Sequence, residues 1–280
     1  MPALSQDPGV YEELVKKHPH ARSMVYHEDA LSMVQSARED ILEAARAAGV
    51  PPEAVAGAML DENTKIRNRG FGAVDAVQDF AVKPLPLDFV DNLPLDKVAG
   101  YVKNTPGKQR NRNLTNLPMW DIGPYNINVS YGYEIFEKQV LDPRAKNPLK
   151  DFALKGLPAD ATDEEKWNAY RDRCLLGKKG GAYVTAAVLR EGQKRLAPYM
   201  RNSTPEDQAA LLVTYFKQGW GKMQENYLAR VKSTGDKSDM RPGEGARLFN
   251  NIESIQRILQ GKWVYPVRHE RDYNRMMYRY

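Results

Sequence analysis

A single cysteine, Cys174, in 280 residues excludes an intrachain disulfide framework and leaves no thiolate metal site. Long apolar runs are absent as well. No uninterrupted stretch approaches the roughly 20 residues that span a bilayer, so stable membrane insertion is not expected. Histidine is scarce: His18, His20, His27 and His269 are the full set, and the 18/20 pair has no Cys or acidic partner at zinc-ligand spacing. Gly177-Lys178-Lys179-Gly180-Gly181 is rich in glycine and lysine but lacks the phosphate-loop spacing and a preceding strand. No metal and no cofactor are therefore expected. Internal repeats and low-complexity tracts are missing too, and strand signals are thin.

Neither sign of charge is scarce. Lys and Arg exceed Asp and Glu by 41 to 36, giving a formal charge of +5, an excess that favours approach to anionic polymers. The C-terminal end interleaves Arg257, Lys262, Arg268, Arg271, Arg275 and Arg279 with Trp263, Tyr265, Tyr273, Tyr278 and Tyr280. Without a nucleic-acid motif beside it, this mixture reads as aromatics packing on the domain while arginines stay solvated, and no nucleic-acid partner is expected. The N-terminus carries Asp7, Glu12, Glu13, Lys16 and Lys17 with no apolar h-region. Synthesis in the cytoplasm without a signal peptide is the expectation.

The periodic segments are helical. Ala30, Val34, Ala37, Ile41 and Ala45 lie at helical spacing over 29–48, and Gly49 with Pro51-Pro52 gives a stop and a restart. Residues 182–200 place Leu189, Gly192, Leu196 and Tyr199 on one face. Thr204-Pro205-Glu206-Asp207 is a helix start, with a capping hydroxyl, proline in the first turn and acids suited to the dipole. Gly219 is expected to end that helix. Thr162-Asp163-Glu164-Glu165 starts another inside an otherwise irregular stretch 142–181. Leu248, Ile252, Ile255 and Leu259 continue the pattern after the turn Pro242–Gly245. Prolines and glycines between 81 and 118 predict a long irregular connection holding one short helix near 95–103. Residues 125–133 alternate imperfectly, as a short extended piece entering a helix. The sum is a mainly α fold with irregular loops and at most a very small β element. Its expected organisation is an N-terminal extension 1–28, a helical domain 29–235 and a basic, aromatic C-terminal segment 236–280 packed on that domain.

One carboxylate stands out. In a helix over Pro51–Glu62, Val55, Ala58, Met59 and Glu62 share one stripe. Desolvation on an apolar stripe favours the protonated acid, and a helix ending near Glu62 would push the same way. A carboxylic acid held protonated is what a general acid in glycoside cleavage needs. The plain alternative is a helix-end glutamate paired with Lys65 or Arg69.

Four segments in order resemble goose-type and related lysozyme-like domains, over roughly residues 50–220. Pro51–Glu62 resembles the helix that begins at Pro-Pro-Glu and ends in the catalytic glutamate. Asp121–Val129 is similar to the Gly-x-x-Gln-Ile segment lining the sugar cleft. Ala182–Tyr199 resembles the long buried helix, and Leu211–Gly219 the segment whose tyrosine faces the glutamate. The Pro242–Arg247 turn is similar to one in lysozyme-like toxins associated with type VI secretion.

The resemblance implies a muramidase acting on peptidoglycan, with Glu62 as general acid and Asp75, Asp79 or Asp121 as second carboxylate, Asp75 fitting the placement best. It implies substrate contacts from Tyr125, Asn126 and Tyr215, with Asp79 as a further candidate. It also implies secretion into the periplasm of a target bacterium, with a cognate immunity protein and a secretion-apparatus component as candidate partners. A phage-type endolysin or a lytic transglycosylase, which needs no separate base, is the near alternative. Two departures, Asn126 for the cleft glutamine and Phe216 for the asparagine after the tyrosine, keep a non-catalytic wall- or partner-binding protein as the alternative of a different class.

Overall fold

The computed structural model describes residues 26, 28–69, 121–122, 125, 127–237 and 244–262. These residues are mainly α-helical, as the periodicity predicts, and the β content among them is one two-residue antiparallel ribbon. The expected helix near 95–103 lies outside the described residues. The chain divides into two units: residues 1–69 with 185–273, and residues 70–184 with 274–280.

The first unit opens with α1 (Glu28–Ser36), α2 (Arg38–Ala48) and α3 (Pro52–Arg69). The sequence pattern predicts one helix over 29–48, but the chain breaks at Ala37 (φ −99°, ψ 7°). Ser36 Oγ donates back to the Met33 carbonyl at 2.8 Å and shares that acceptor with the Ala37 amide at 3.0 Å. The apolar stripe runs through the break unchanged, so Ala30, Val34, Ile41 and Ala45 are all buried. Gly49 ends α2 as expected, in the left-handed conformation (φ 69°) that a side chain resists. Arg190 then supplies a donor to the Ala48 carbonyl at 3.0 Å, satisfying one group the helix end leaves open.

The same unit holds residues 185–200 of α7 (Lys178–Met200), then α8 (Pro205–Lys222), α9 (Ala229–Thr234), α10 (Glu244–Asn250) and α11 (Ile252–Leu259). Thr204 caps α8 by accepting from the Asp207 amide at 3.1 Å, with Pro205 in the first turn. Gly219 takes φ 70° and breaks the helical geometry as predicted, but the chain resumes through Lys222 and a π-helical turn, Met223–Leu228. The stripe from Leu248 to Leu259 is split at Asn251 (φ −112°), whose side-chain amide donates to the Arg247 carbonyl at 2.8 Å. α10 packs on α8 and α8 on α3. A Cβ on Gly57 would stand 2.7 Å from Leu248 Cδ1 and 2.9 Å from Val213 Cγ2, so the missing side chain lets α3 approach its neighbours.

In the second unit, β1 (Asp121–Ile122) pairs with β2 (Ile127–Asn128) in the register Asp121↔Asn128 and Ile122↔Ile127. α4 (Val129–Ile135) continues into a π-helical turn, Phe136–Leu141. α5 (Pro148–Ala153) and α6 (Asp163–Tyr170) follow, the latter running into a second π-helical turn, Arg171–Leu175, before α7. Thr162 and Glu165 form a reciprocal capping box at the start of α6, as the sequence predicts. Tyr133, Phe136, Trp167 and Tyr170 pack with ring centroids 5.1–6.0 Å apart and supply most of the aromatic core here. Tyr170 hydroxyl donates to the Gly132 carbonyl at 3.0 Å, and burial pushes its pKa well above the ordinary value.

Candidate functional site

Glu62 is buried, 5% exposed, as its place on the apolar stripe predicts. Two details differ from expectation. The helix does not end there: α3 runs on to Arg69, so Glu62 sits inside the helix and the C-terminal dipole does not act on it. A partner the sequence did not suggest comes from a distant helix: Lys217 of α8, whose Nζ donates to Glu62 Oε1. The ammonium supplies the counter-charge that a desolvated carboxylate requires.

Neighbouring residues extend this pair into a buried polar cluster in the first unit. Asp61, 1% exposed, accepts from Arg247 Nη1 of α10. The Arg247 guanidinium, itself buried, lies 5.9 Å from the centre of the Tyr26 ring. Gln218 Nε2 donates to Glu244 Oε2 at 3.3 Å, and Glu244 is 9% exposed. Asn63 Nδ2 closes back on the Met59 carbonyl at 2.8 Å.

Tyr26 is buried with no hydrogen-bond partner for its hydroxyl among the described residues. Burial holds its pKa well above the ordinary value; the charges of Asp61 and Glu244 push the same way and Arg247 opposes them. Adjacent positions on a helix point about 100° apart, which is why Asp61 and Glu62 reach different helices.

Three carboxylates and two cations thus meet where α3, α8 and α10 join. Removing each ion from water costs several kcal/mol, and replacing such pairs by apolar residues is often neutral or stabilising. A cluster of this kind is therefore poorly explained by stability alone. Buried titratable groups held by specific partners mark candidate functional sites. Among the described residues, no group of three or more His, Cys, Asp or Glu side chains is placed to hold a metal ion.

The other predicted site residues fall as follows. Tyr215 is buried in α8 with its ring against Gly192 of α7, where a Cβ would come within 2.8 Å of Tyr215 Cε1. The α8 side chain that reaches Glu62 by a charged hydrogen bond is Lys217. Asp121 and Tyr125 belong to the second unit: Asp121 opens β1, and Tyr125 is buried between the strands with its ring on Gly181. Asp75, Asp79 and Asn126 lie outside the described residues.

Sequence reasoning missed Lys217, Glu244, Arg247 and Tyr26 as companions of Glu62. One signal was present: Lys217 follows Val213 by four residues, which puts a cation on the buried stripe of α8. No family model, curated protein or solved structure matches the chain.

Proposed function

We propose that the protein cleaves the glycan strands of peptidoglycan as a muramidase, with Glu62 as the general acid that protonates the glycosidic oxygen between N-acetylmuramic acid and N-acetylglucosamine. The observation that carries this reading is the burial of Glu62, paired with Lys217, beside the buried Asp61–Arg247 pair and Glu244. The ordered resemblance of the segments at 51–62, 121–129, 182–199 and 211–219 to lysozyme-like domains supplies the substrate class. As an acid Glu62 must carry a proton, so the Lys217 ammonium has to leave it when glycan binds. The Lys217 side chain is 24% exposed, which gives its head group a route to solvent. Delivery into the periplasm of a target bacterium, with a cognate immunity protein in the producer, completes the proposal. Among the described residues no helix is long and apolar enough to cross a membrane.

A second reading is favoured by one observation, the Lys217 ammonium seated on Glu62. In that reading the paired charges fix helix positions, and the unit binds wall or partner without cleaving. Incubation of isolated sacculi with wild-type protein and Glu62→Gln separates the two. Soluble muropeptides from wild type but not from the variant support the acid; no release by wild type, where a control lysozyme works, supports binding alone.

A further inference from the structure

The acid needs a partner. An inverting glycosidase requires a second carboxylate to activate water on the opposite face of the sugar. Of the carboxylates expected for this role, Asp75 and Asp79 lie outside the described residues and Asp121 belongs to the second unit.

Glu244 and Glu62 are held at the same helix junction through two links. Lys217 and Gln218 are consecutive on α8; the first donates to Glu62 and the second to Glu244. Asp61 and Glu62 are consecutive on α3, and Asp61 is held by Arg247, which shares a face of α10 with Glu244 at a spacing of three. The start of α10 is fixed against α8 at close range, since a Cβ on Gly245 would stand 2.7 Å from the Ala210 carbonyl oxygen. Beside this junction is the buried Tyr26, whose hydroxyl has no hydrogen-bond partner among the described residues and feels the charges of Asp61, Glu244 and Arg247. A buried hydroxyl of that kind is suited to hold a water or a substrate hydroxyl.

We propose that Glu244 is the catalytic base, resting on the reading of Glu62 as the acid. The Glu244 carboxylate takes a proton from water, and the water oxygen bonds to the anomeric carbon of the muramic acid residue. The bond from that carbon to the bridging oxygen breaks with its electron pair on the oxygen, which receives the proton from Glu62. Glu62 ends as a carboxylate and Glu244 as an acid, and solvent exchange restores both.

The test uses the full chain on sacculi, with Glu62→Gln, Glu244→Gln, Glu244→Ala and wild type compared. Glu244→Gln is expected to lose roughly 10²- to 10⁴-fold in kcat with KM unchanged and a melting temperature close to wild type. Sodium azide added to Glu244→Ala is expected to restore turnover and give an α-glycosyl azide. Proton NMR of fresh wild-type product reads α reducing ends, a result that does not depend on any variant folding. A folded Glu244→Gln with wild-type kcat overturns the base while leaving Glu62 as the acid if Glu62→Gln is inert. Products with β or 1,6-anhydro ends also overturn it. A wild-type protein that releases nothing overturns both assignments.

Discussion

Replacing Arg247 by Met should unfold the first unit more readily than almost any other single change in the polar cluster. Arg247 is 7% exposed and its guanidinium donates to Asp61, which is 1% exposed. Met keeps much of the stem and removes the charge, so Asp61 is left buried without its cation. Breaking a buried pair from one side costs about 3–5 kcal/mol, against a total stability of roughly 5–15 kcal/mol for a domain. For a unit of this size that corresponds to a fall in Tm of about 6–20 °C. The cost has to vanish in part when the carboxylate is neutralised too. Asp61→Asn combined with Arg247→Met should be less destabilised than the sum of the single changes, by about 1–3 kcal/mol. Urea unfolding followed by far-UV circular dichroism measures all three, with a transition fitted to each unit where the two melt separately. An Arg247→Met protein within 1 kcal/mol of wild type, or single costs that simply add, would refute the buried pair.

Gly245→Ala should cost about 1–3 kcal/mol in the same urea assay, because its Cβ meets the Ala210 carbonyl oxygen at 2.7 Å and a backbone carbonyl yields little; an unchanged midpoint would contradict the close approach of α10 to α8. Stability should fall above pH 9. Burial holds the Cys174 thiol up at about 12 against an ordinary 9.0, and holds the Tyr26 and Tyr170 hydroxyls well above 10.0. Above those ordinary values the unfolded chain sheds protons that the folded chain keeps, so the contribution is complete below pH 9 and is lost as pH rises toward the folded values. Melting temperatures at pH 8, 9, 10 and 11 should decline, more gently in Cys174→Ala and Tyr170→Phe; a flat profile sinks this reading. Cys174 is also fully buried, so a thiol reagent at pH 8 should label it only at the rate of unfolding, and rapid labelling of the native protein would place it at the surface instead.

Local chemistry made much of the fold legible. Gly49, Thr162, Thr204 and Gly235 mark helix ends through conformations and caps that involve residues only a few positions away. The breaks at Ala37 and Asn251 were not legible, because the apolar stripe continues across both. The three π-helical turns carry no period that the stripe would betray.

The same division holds at the site. A stripe shows that Glu62 is buried, but its partner Lys217 lies 155 residues away, and Arg247 lies 186 residues from Asp61. Periodicity reports which face is inside; it does not report what that face meets. The helix-dipole argument for Glu62 failed because α3 runs on to Arg69, and Ile66, four residues past Glu62 at helical spacing, was a sign of that continuation.

The muramidase assignment stands or falls on digestion of sacculi by matched wild-type and Glu62→Gln proteins of equal melting temperature. Release of reducing muropeptides by wild type, reduced roughly 10²- to 10⁴-fold in the variant, is the predicted result. Equal release by both proteins would remove Glu62 from the chemistry, and no release by either would leave the buried cluster a set of structural ion pairs.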